Sequence, residues 1–118
     1  MNHETLIAHG LQLSGTSLQY PFDPDLPVLF VGSKMFALFG MTDGKQSVNV
    51  KVVPEEAWLL RGQYPGTVLP GYHMNKKHWN TVVLDGIVPD HEVMGMLVLS
   101  YQLVYRKLTK KEREELIS

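Results

Sequence analysis

Apolar runs and alternating segments divide the chain into short predicted elements. Residues 47–52 alternate polar and apolar side chains, which is typical of a strand with one buried face. Asp43-Gly44 lies between that segment and the preceding apolar run, and both residue types suit the positive φ angles of a tight hairpin. We predict extended segments at residues 16–22, 28–31, 34–39, 47–52 and 79–84, and a loop over residues 64–71.

Helix signals precede, separate and follow these strands. Residues 4–13 predict a short helix, and Pro54 suits the first position of a second one. Asp90 is the predicted N-cap of a long C-terminal helix, and Thr109 with Glu112 has the capping-box spacing that predicts a break and a restart. The apolar stripe of the long helix comprises Val93, Met94, Leu97, Tyr101, Val104 and Leu108. This order of elements predicts an α+β fold, a two-layer sandwich in which a mainly antiparallel sheet of about five strands carries helices on one face.

The composition indicates a single globular domain over residues 1–118. The chain is 44% hydrophobic and 19% charged, which is a globular mixture at an ordinary single-domain length. It contains no cysteine, which excludes disulfides, thiol nucleophiles and cysteine-ligated metals, and fits a reducing cytoplasm. The N-terminus lacks the basic start and apolar core of a signal peptide, and every apolar run is too short to span a bilayer. We therefore expect a cytoplasmic protein without membrane contact.

Charge is unevenly distributed, although the net charge is only −1. Residues 1–33 hold three acids and no Lys or Arg, whereas residues 34–80 hold six basic residues against three acids. A net charge near zero argues against strong nonspecific affinity for nucleic acid. Any basic surface must come from the middle of the chain or from the tail between Arg106 and Arg113. We interpret that tail as a solvated amphipathic helix end.

The residues that most often carry catalysis or bind metals form no convincing set. His73 and His78 lie five positions apart, but a third ligand is missing and Lys76 and Lys77 between them oppose a cation. We interpret these histidines as loop or solvent-facing residues. No serine lies in a Gly-x-Ser-x-Gly turn, and Ser100 lies inside the long helix, where its hydroxyl can bond back to helix carbonyls. We expect a protein that is not an enzyme and needs neither metal nor cofactor.

Residues 69–80 combine basic, aromatic and amide side chains in a loop and one helical turn. Lys76 and Lys77 suit phosphates, Tyr72 and Trp79 suit stacking, and Asn75 can cap the turn. The alternative is that the two aromatic rings pack beneath the loop while the lysines are solvated. Lys34 could join Lys51 or Lys76 in a basic face, a choice that the sequence leaves open.

Several motifs spread over nearly the whole chain occur together. They are Leu13-Ser14-Gly15-Thr16, Tyr20-Pro21-Phe22, Gly32-Ser33-Lys34-Met35-Phe36-Ala37, Val50-Lys51, Pro54-Glu55-Glu56-Ala57, residues 70–82 and Ser100-Tyr101-Gln102-Leu103-Val104. In this combination the chain resembles the MmcQ/YjbR family of small bacterial proteins. The resemblance implies a CyaY-like α+β fold, and DNA binding in which two β wings and nearby loops grip a duplex. At the matching positions it implies Lys34, His73, Asn75, Lys76, Lys77 and His78 as nucleic-acid contacts, to which the chemistry of the loop adds Tyr72.

The leading hypothesis is therefore a cytoplasmic DNA-binding or regulatory protein, with weak and salt-sensitive affinity for double-stranded DNA because few phosphate contacts are available. The alternative is a protein–protein interaction module without a nucleic-acid role. An enzyme ranks third, because it would need a pocket that joins a loop histidine to a carboxylate. We expect a monomer or a weak homodimer.

Overall fold

A computed structural model describes residues 1–72 and 74–117 of the protein, so His73, one of the predicted nucleic-acid contacts, lies outside the described residues. The elements in chain order are α1 (His3–Gly10), β1 (Thr16–Gln19), β2 (Val28–Val31), β3 (Lys34–Thr42), β4 (Lys45–Lys51), α2 (Pro54–Gln63), β5 (Val68–Pro70), β6 (Trp79–Val83), α3 (Asp90–Tyr105) and α4 (Lys110–Ile117). The α+β class predicted from the sequence is confirmed.

The strands form one six-stranded sheet in the order β1-β2-β3-β4-β6-β5, and each neighbouring pair is antiparallel. Asp43 and Gly44 both have positive φ, 49° and 77°, as the predicted hairpin between β3 and β4 requires. The additional strand is β5, which lies inside the segment predicted as a loop. It pairs Val68 with Val82 at the edge of the sheet, and its terminal Pro70, which has no N–H to donate, is compatible with an edge.

The helices pack against one face of this sheet. α3 contacts β3 and β4, and α1 contacts both α3 and β4. The main core lies between these layers and contains fully buried side chains such as Phe36, Phe39 and Leu97. The predicted layered arrangement, with helices on one face, is therefore confirmed.

Two helix-capping predictions need correction. Asp90 is the first residue of α3 rather than its N-cap, and Pro89 occupies the cap position without a side-chain hydrogen bond. The Asp90 carboxylate instead lies 3.5 Å from the Met1 amino group. At the start of α4, Thr109 Oγ1 accepts a hydrogen bond from Glu112 N as predicted, but the Glu112 side chain binds elsewhere. Its partner belongs to the functional site.

A second, smaller apolar cluster lies on the other face of the sheet. Leu38 alternates with Ala37 and Phe39 of the main core, and alternation along a strand directs it to the opposite side. It packs there with Val28 and Trp79. We call this side of the sheet the open face.

Candidate functional site

The register of the sheet brings four strand ends to one end of the molecule. β2 ends at Val31, which pairs with Lys34 at the start of β3. β4 ends at Lys51, which pairs with Trp79 at the start of β6. The C-terminal half of α3 reaches the same end, because Ser100 donates and accepts hydrogen bonds there. Basic residues that are distant in sequence consequently become neighbours.

Three lysines line one surface cavity of about 570 Å³ at this end of the sheet. We call Lys34, Lys51 and Lys107 the lysine cluster. Within residues 1–72 and 74–117, none of them forms an ion pair with a carboxylate. Burial lowers the pKa of Lys51, and the positive charges of Lys107 and Lys34 lower it further, as desolvation and like charge do. The cluster thus gathers cations that repel one another.

The backbone at Lys51 is held by a buried hydroxyl of α3. Ser100 Oγ accepts a hydrogen bond from Lys51 N at 2.8 Å and donates one to the Phe36 carbonyl at 2.6 Å. The register between β3 and β4 ends at Ala37 and Val50, so the hydroxyl connects the two strands just beyond their last pair. The sequence-based interpretation of Ser100 as bonding back to its own helix is wrong.

The turn before Lys34 is fixed by α4. Gly32 has a positive φ of 55°, and a Cβ there would lie 2.5 Å from Glu112 Oε2. That carboxylate accepts hydrogen bonds from Ser33 N at 2.6 Å and from Ser33 Oγ at 3.1 Å. In a full capping box the Glu112 side chain would instead accept a hydrogen bond from the Thr109 N–H. The Glu112 oxygens are thereby engaged by the turn, whose Ser33 lines the cavity of the lysine cluster.

The predicted basic–aromatic loop forms a capped turn beside α2. Asn75 Oδ1 accepts a hydrogen bond from Lys77 N at 2.9 Å, and Asn75 O accepts one from His78 N at 3.1 Å. Arg61 of α2 donates to the Lys76 carbonyl and, at 2.8 Å, to Asn80 Oδ1. Both loop lysines are exposed and line a shallow depression together with residues of α2. The loop is therefore held by backbone contacts while its ammonium groups remain accessible.

The two aromatic residues of the loop have different environments. Trp79 is only 8% exposed and packs in the open-face cluster, as the structural alternative predicted. Tyr72 is 70% exposed, and its side chain lines a groove on the open face, while its backbone N donates to Thr81 Oγ1 at 3.1 Å. We call this groove the open-face groove.

The predicted contacts therefore do not form one patch. Lys34 belongs to the lysine cluster, Lys76 and Lys77 lie against α2, and Tyr72 lines the open-face groove. Sequence reasoning named Lys51 as a possible neighbour of Lys34, and the shared cavity supports that choice. It missed Lys107, which was interpreted as part of a solvated tail. The only sequence signal for Lys107 is its position between Val104 and Leu108, the last two members of the apolar stripe.

The described part of the chain lacks both a metal-binding group and a membrane-spanning helix. Residues 1–72 and 74–117 contain no group of three His, Asp or Glu side chains placed to hold a metal ion. Over the same residues, no helix has both the length and the apolar character needed to cross a membrane. His73, one of the two histidines that the sequence analysis set aside as a metal pair, lies outside the described residues.

The fold and this site define a small two-layer α+β domain with helices on one sheet face and a basic sheet end. A model of the YjbR family matches residues 11–103. The chain therefore belongs to the YjbR family, and the resemblance predicted from its motifs is confirmed.

Relatives and solved structures agree with this assignment. The chain is 33% identical over 112 residues to the uncharacterized protein YbdF of Escherichia coli O157:H7, an alignment that covers 95% of this chain and 91% of YbdF. It is 37% identical over 83 residues to the uncharacterized protein YjbR of Escherichia coli K12, covering 70% of each chain. The crystal structure of Deinococcus radiodurans protein DR2400, with domain DUF419, matches with a TM-score of 0.89 and 39% identity, covering 98% of this chain and 87% of that one.

Proposed function

We propose that the protein binds nucleic acid, duplex DNA in the first instance, through the basic end of its sheet. The observation that carries this proposal is the lysine cluster, in which three cations share one cavity without an ion-pair partner among residues 1–72 and 74–117. Like charges held together raise the energy of the folded state, and phosphate groups would relieve that repulsion. The role proposed is binding rather than catalysis, in a reducing cytoplasm that suits a chain without cysteine.

The loop lysines extend the same basic end. Lys76 and Lys77 come just before β6, and the first residue of β6, Trp79, pairs with Lys51 of the cluster. Glu55 lines the depression beside them, and its negative charge opposes a phosphate there. We therefore expect the cluster to contribute more to DNA affinity than the loop does.

The first test is a titration of the protein with a fluorescently labelled duplex, followed by anisotropy, at ionic strengths from about 0.01 M to about 0.15 M. With about three phosphate contacts, log K should fall with log salt at a slope of about −2.7, because each contact contributes about −0.9. Binding should be weak, with a Kd of roughly 10⁻⁶ to 10⁻⁴ M near physiological salt.

Matched variants locate the contact. The double variant Lys34→Gln/Lys107→Gln should weaken binding and reduce the magnitude of the salt slope by about 1.8, the share of two contacts. Lys45→Gln is the control, because Lys45 pairs with Thr42 at the hairpin, at the opposite end of the sheet. Equal affinity of the double variant and the control, with both proteins folded, would overturn the proposal. A larger loss in Lys76→Gln/Lys77→Gln would move the interface to the loop.

A protein-interaction role is the second candidate, and exposed apolar side chains favour it. Phe22 is 62% exposed and Met41 61% exposed, and both line the open-face groove. Exposed apolar patches often mark protein contacts. Sedimentation of the wild type and of Phe22→Ser over a range of concentrations tests self-association through this face. A weak homodimer that dissociates in the variant would support this role, whereas identical profiles would oppose it.

A further inference from the structure

The open face carries an apolar groove where a half-solvated sheet normally has polar side chains. An antiparallel sheet with helices on one side usually presents polar residues on the other. Here the groove has a volume of about 500 Å³, within the roughly 300–1,000 Å³ of small-molecule sites. Its described lining residues come from strands and loops, and the apolar ones are Phe22, Leu26, Met35, Leu38, Met41, Tyr72 and Met74.

Two hydroxyl groups on the floor of this groove donate hydrogen bonds within the protein. Thr42 Oγ1 donates to Ser47 Oγ at 2.8 Å, and Thr81 Oγ1 donates to Asn49 Oδ1 at 2.5 Å. Because the Thr42 and Thr81 hydroxyls already donate to partners within the protein, an apolar ligand can cover these two donors without leaving them unsatisfied. Methionine walls adapt to different apolar shapes and make favourable contacts with aromatic rings.

The open-face groove adjoins the cavity of the lysine cluster. Phe22 and Met35 line both the open-face groove and the cavity that holds the three lysines. The loop that carries Phe22 is fixed by hydrogen bonds from Leu26 N to Asp23 O at 3.1 Å and from Phe39 N to Pro27 O at 2.9 Å. An apolar groove therefore lies next to a group of cations.

We propose that the open-face groove and the lysine cluster together bind one small amphiphilic anion, with an acyl or aryl body in the groove and an anionic head at the lysines. Ammonium groups pair with carboxylate, sulfonate or phosphate oxygens through charge-assisted hydrogen bonds. A duplex bound through its phosphates would leave the apolar groove without a role, and a protein bound at the apolar groove would leave the adjacent lysines without one. A single amphiphilic anion would use both. The proposal does not depend on DNA binding, and its test contains no nucleic acid.

The test uses a pair of probes that differ by one charge. 8-Anilinonaphthalene-1-sulfonate has an aryl body and an anionic head, and N-phenyl-1-naphthylamine has the same body without the head. Both are titrated into the folded protein and followed by fluorescence. The anionic probe should bind more tightly by about fivefold, the effect of one partly exposed charge contact of about 1 kcal/mol. Decanoate and decyl phosphate should each displace it, and their relative potency distinguishes a carboxylate head from a phosphate head.

Two substitutions assign the two halves of the site. Lys51→Met keeps most of the length of the side chain but removes its charge, and it should abolish the preference for the anionic probe while leaving the neutral probe unaffected. Lys45→Met is its control. Gly40→Val should fill the groove and weaken both probes, since Gly40 lines it and a Cβ there would meet only Leu26 Cδ1, at 3.7 Å. Valine suits a strand, so this variant should remain folded.

Three results would overturn the proposal. One is that neither the anionic probe nor decanoate binds the wild type. Another is that Gly40→Val binds both probes as the wild type does, although it unfolds cooperatively. The third is equal preference for the anionic probe in Lys51→Met and Lys45→Met. Cooperative urea unfolding of each variant excludes dye binding to a molten state, in which exposed apolar surface also binds such probes.

Discussion

Replacing Ser100 by alanine removes a single oxygen atom but should destabilise the protein markedly, because that hydroxyl forms hydrogen bonds with two strands. Ser100 is 0% exposed, and its oxygen joins Lys51 N to the Phe36 carbonyl. Alanine leaves a buried carbonyl and a partly buried N–H without this partner, and each unsatisfied buried group costs about 1–3 kcal/mol. Alanine also has the better helix propensity, which returns up to about 0.7 kcal/mol. For two such groups the expected loss in the free energy of unfolding is therefore about 1–5 kcal/mol.

Urea unfolding of the wild type and Ser100→Ala measures this loss from the shift in the midpoint at constant slope. Gln102→Ala is the matched control, since Gln102 is exposed on the same helix and should change stability by less than about 0.5 kcal/mol. Amide exchange gives a local readout: the Lys51 N–H should exchange faster in Ser100→Ala. The reasoning would be refuted if the two variants had equal stability, or if Lys51 kept its protection.

Four further substitutions test other features of the fold. Gly71→Ala should lower the free energy of unfolding by about 1–3 kcal/mol in urea, because the new Cβ would lie 2.7 Å from Trp79 Cβ and 3.0 Å from the Trp79 carbonyl oxygen. Gly62→Ala is the control: Gly62 lies in a helix with open space around it, and the substitution should raise the free energy of unfolding by up to about 1 kcal/mol. Glu112→Ala should lose about 1 kcal/mol by the same measurement, since it removes the acceptor of the turn between β2 and β3. Burial and two neighbouring lysines lower the pKa of Lys51 in the folded protein, so the Lys51 side chain binds its proton more readily in the unfolded protein. Lys51→Met removes this cost and should therefore be more stable than the wild type at neutral pH. The advantage in the free energy of unfolding should disappear as pH rises from the folded pKa of Lys51 towards its ordinary value of about 10.5. An advantage that grew with pH would contradict this assignment.

The elements that sequence patterns predicted well are those whose cause is local. The hairpin at Asp43-Gly44 needs two positive φ angles, and few other residue pairs supply them so readily. The Pro54 start of α2 likewise depends on the fixed φ of proline. In both cases the physical reason lies within the segment, so neighbours in space are not needed to infer it.

The elements that were missed or misread depend on partners distant in sequence. β5 has only three residues and exists because Val68 pairs with Val82 of β6. Ser100 bonds to the sheet rather than to its own helix because α3 crosses the ends of β3 and β4. Sequence periodicity and capping rules do not predict where a helix crosses the sheet, because that position depends on how the helix and sheet layers pack together.

The same limitation explains why the candidate site was predicted in part. The aromatic–basic loop is contiguous in sequence and attracts attention for that reason, yet its aromatic residues separate, with Trp79 buried and Tyr72 exposed. The lysine cluster takes its members from β3, β4 and the segment after α3, so it has no sequence motif. Register and helix crossing, rather than local composition, create the cluster.

The energetic cost of the cluster is a reason to seek a ligand there. Lys51 lies at a position where burial and two like charges disfavour its ammonium form, and neutral or acidic side chains would suit the folded state better. The Ser100 hydrogen bond fixes the Lys51 backbone at this site. A group that lowers stability while being held firmly in place is typical of binding sites, where stability and function conflict. An anion is the ligand that removes this particular cost, whether it belongs to a nucleic-acid backbone or to the head of a small amphiphile.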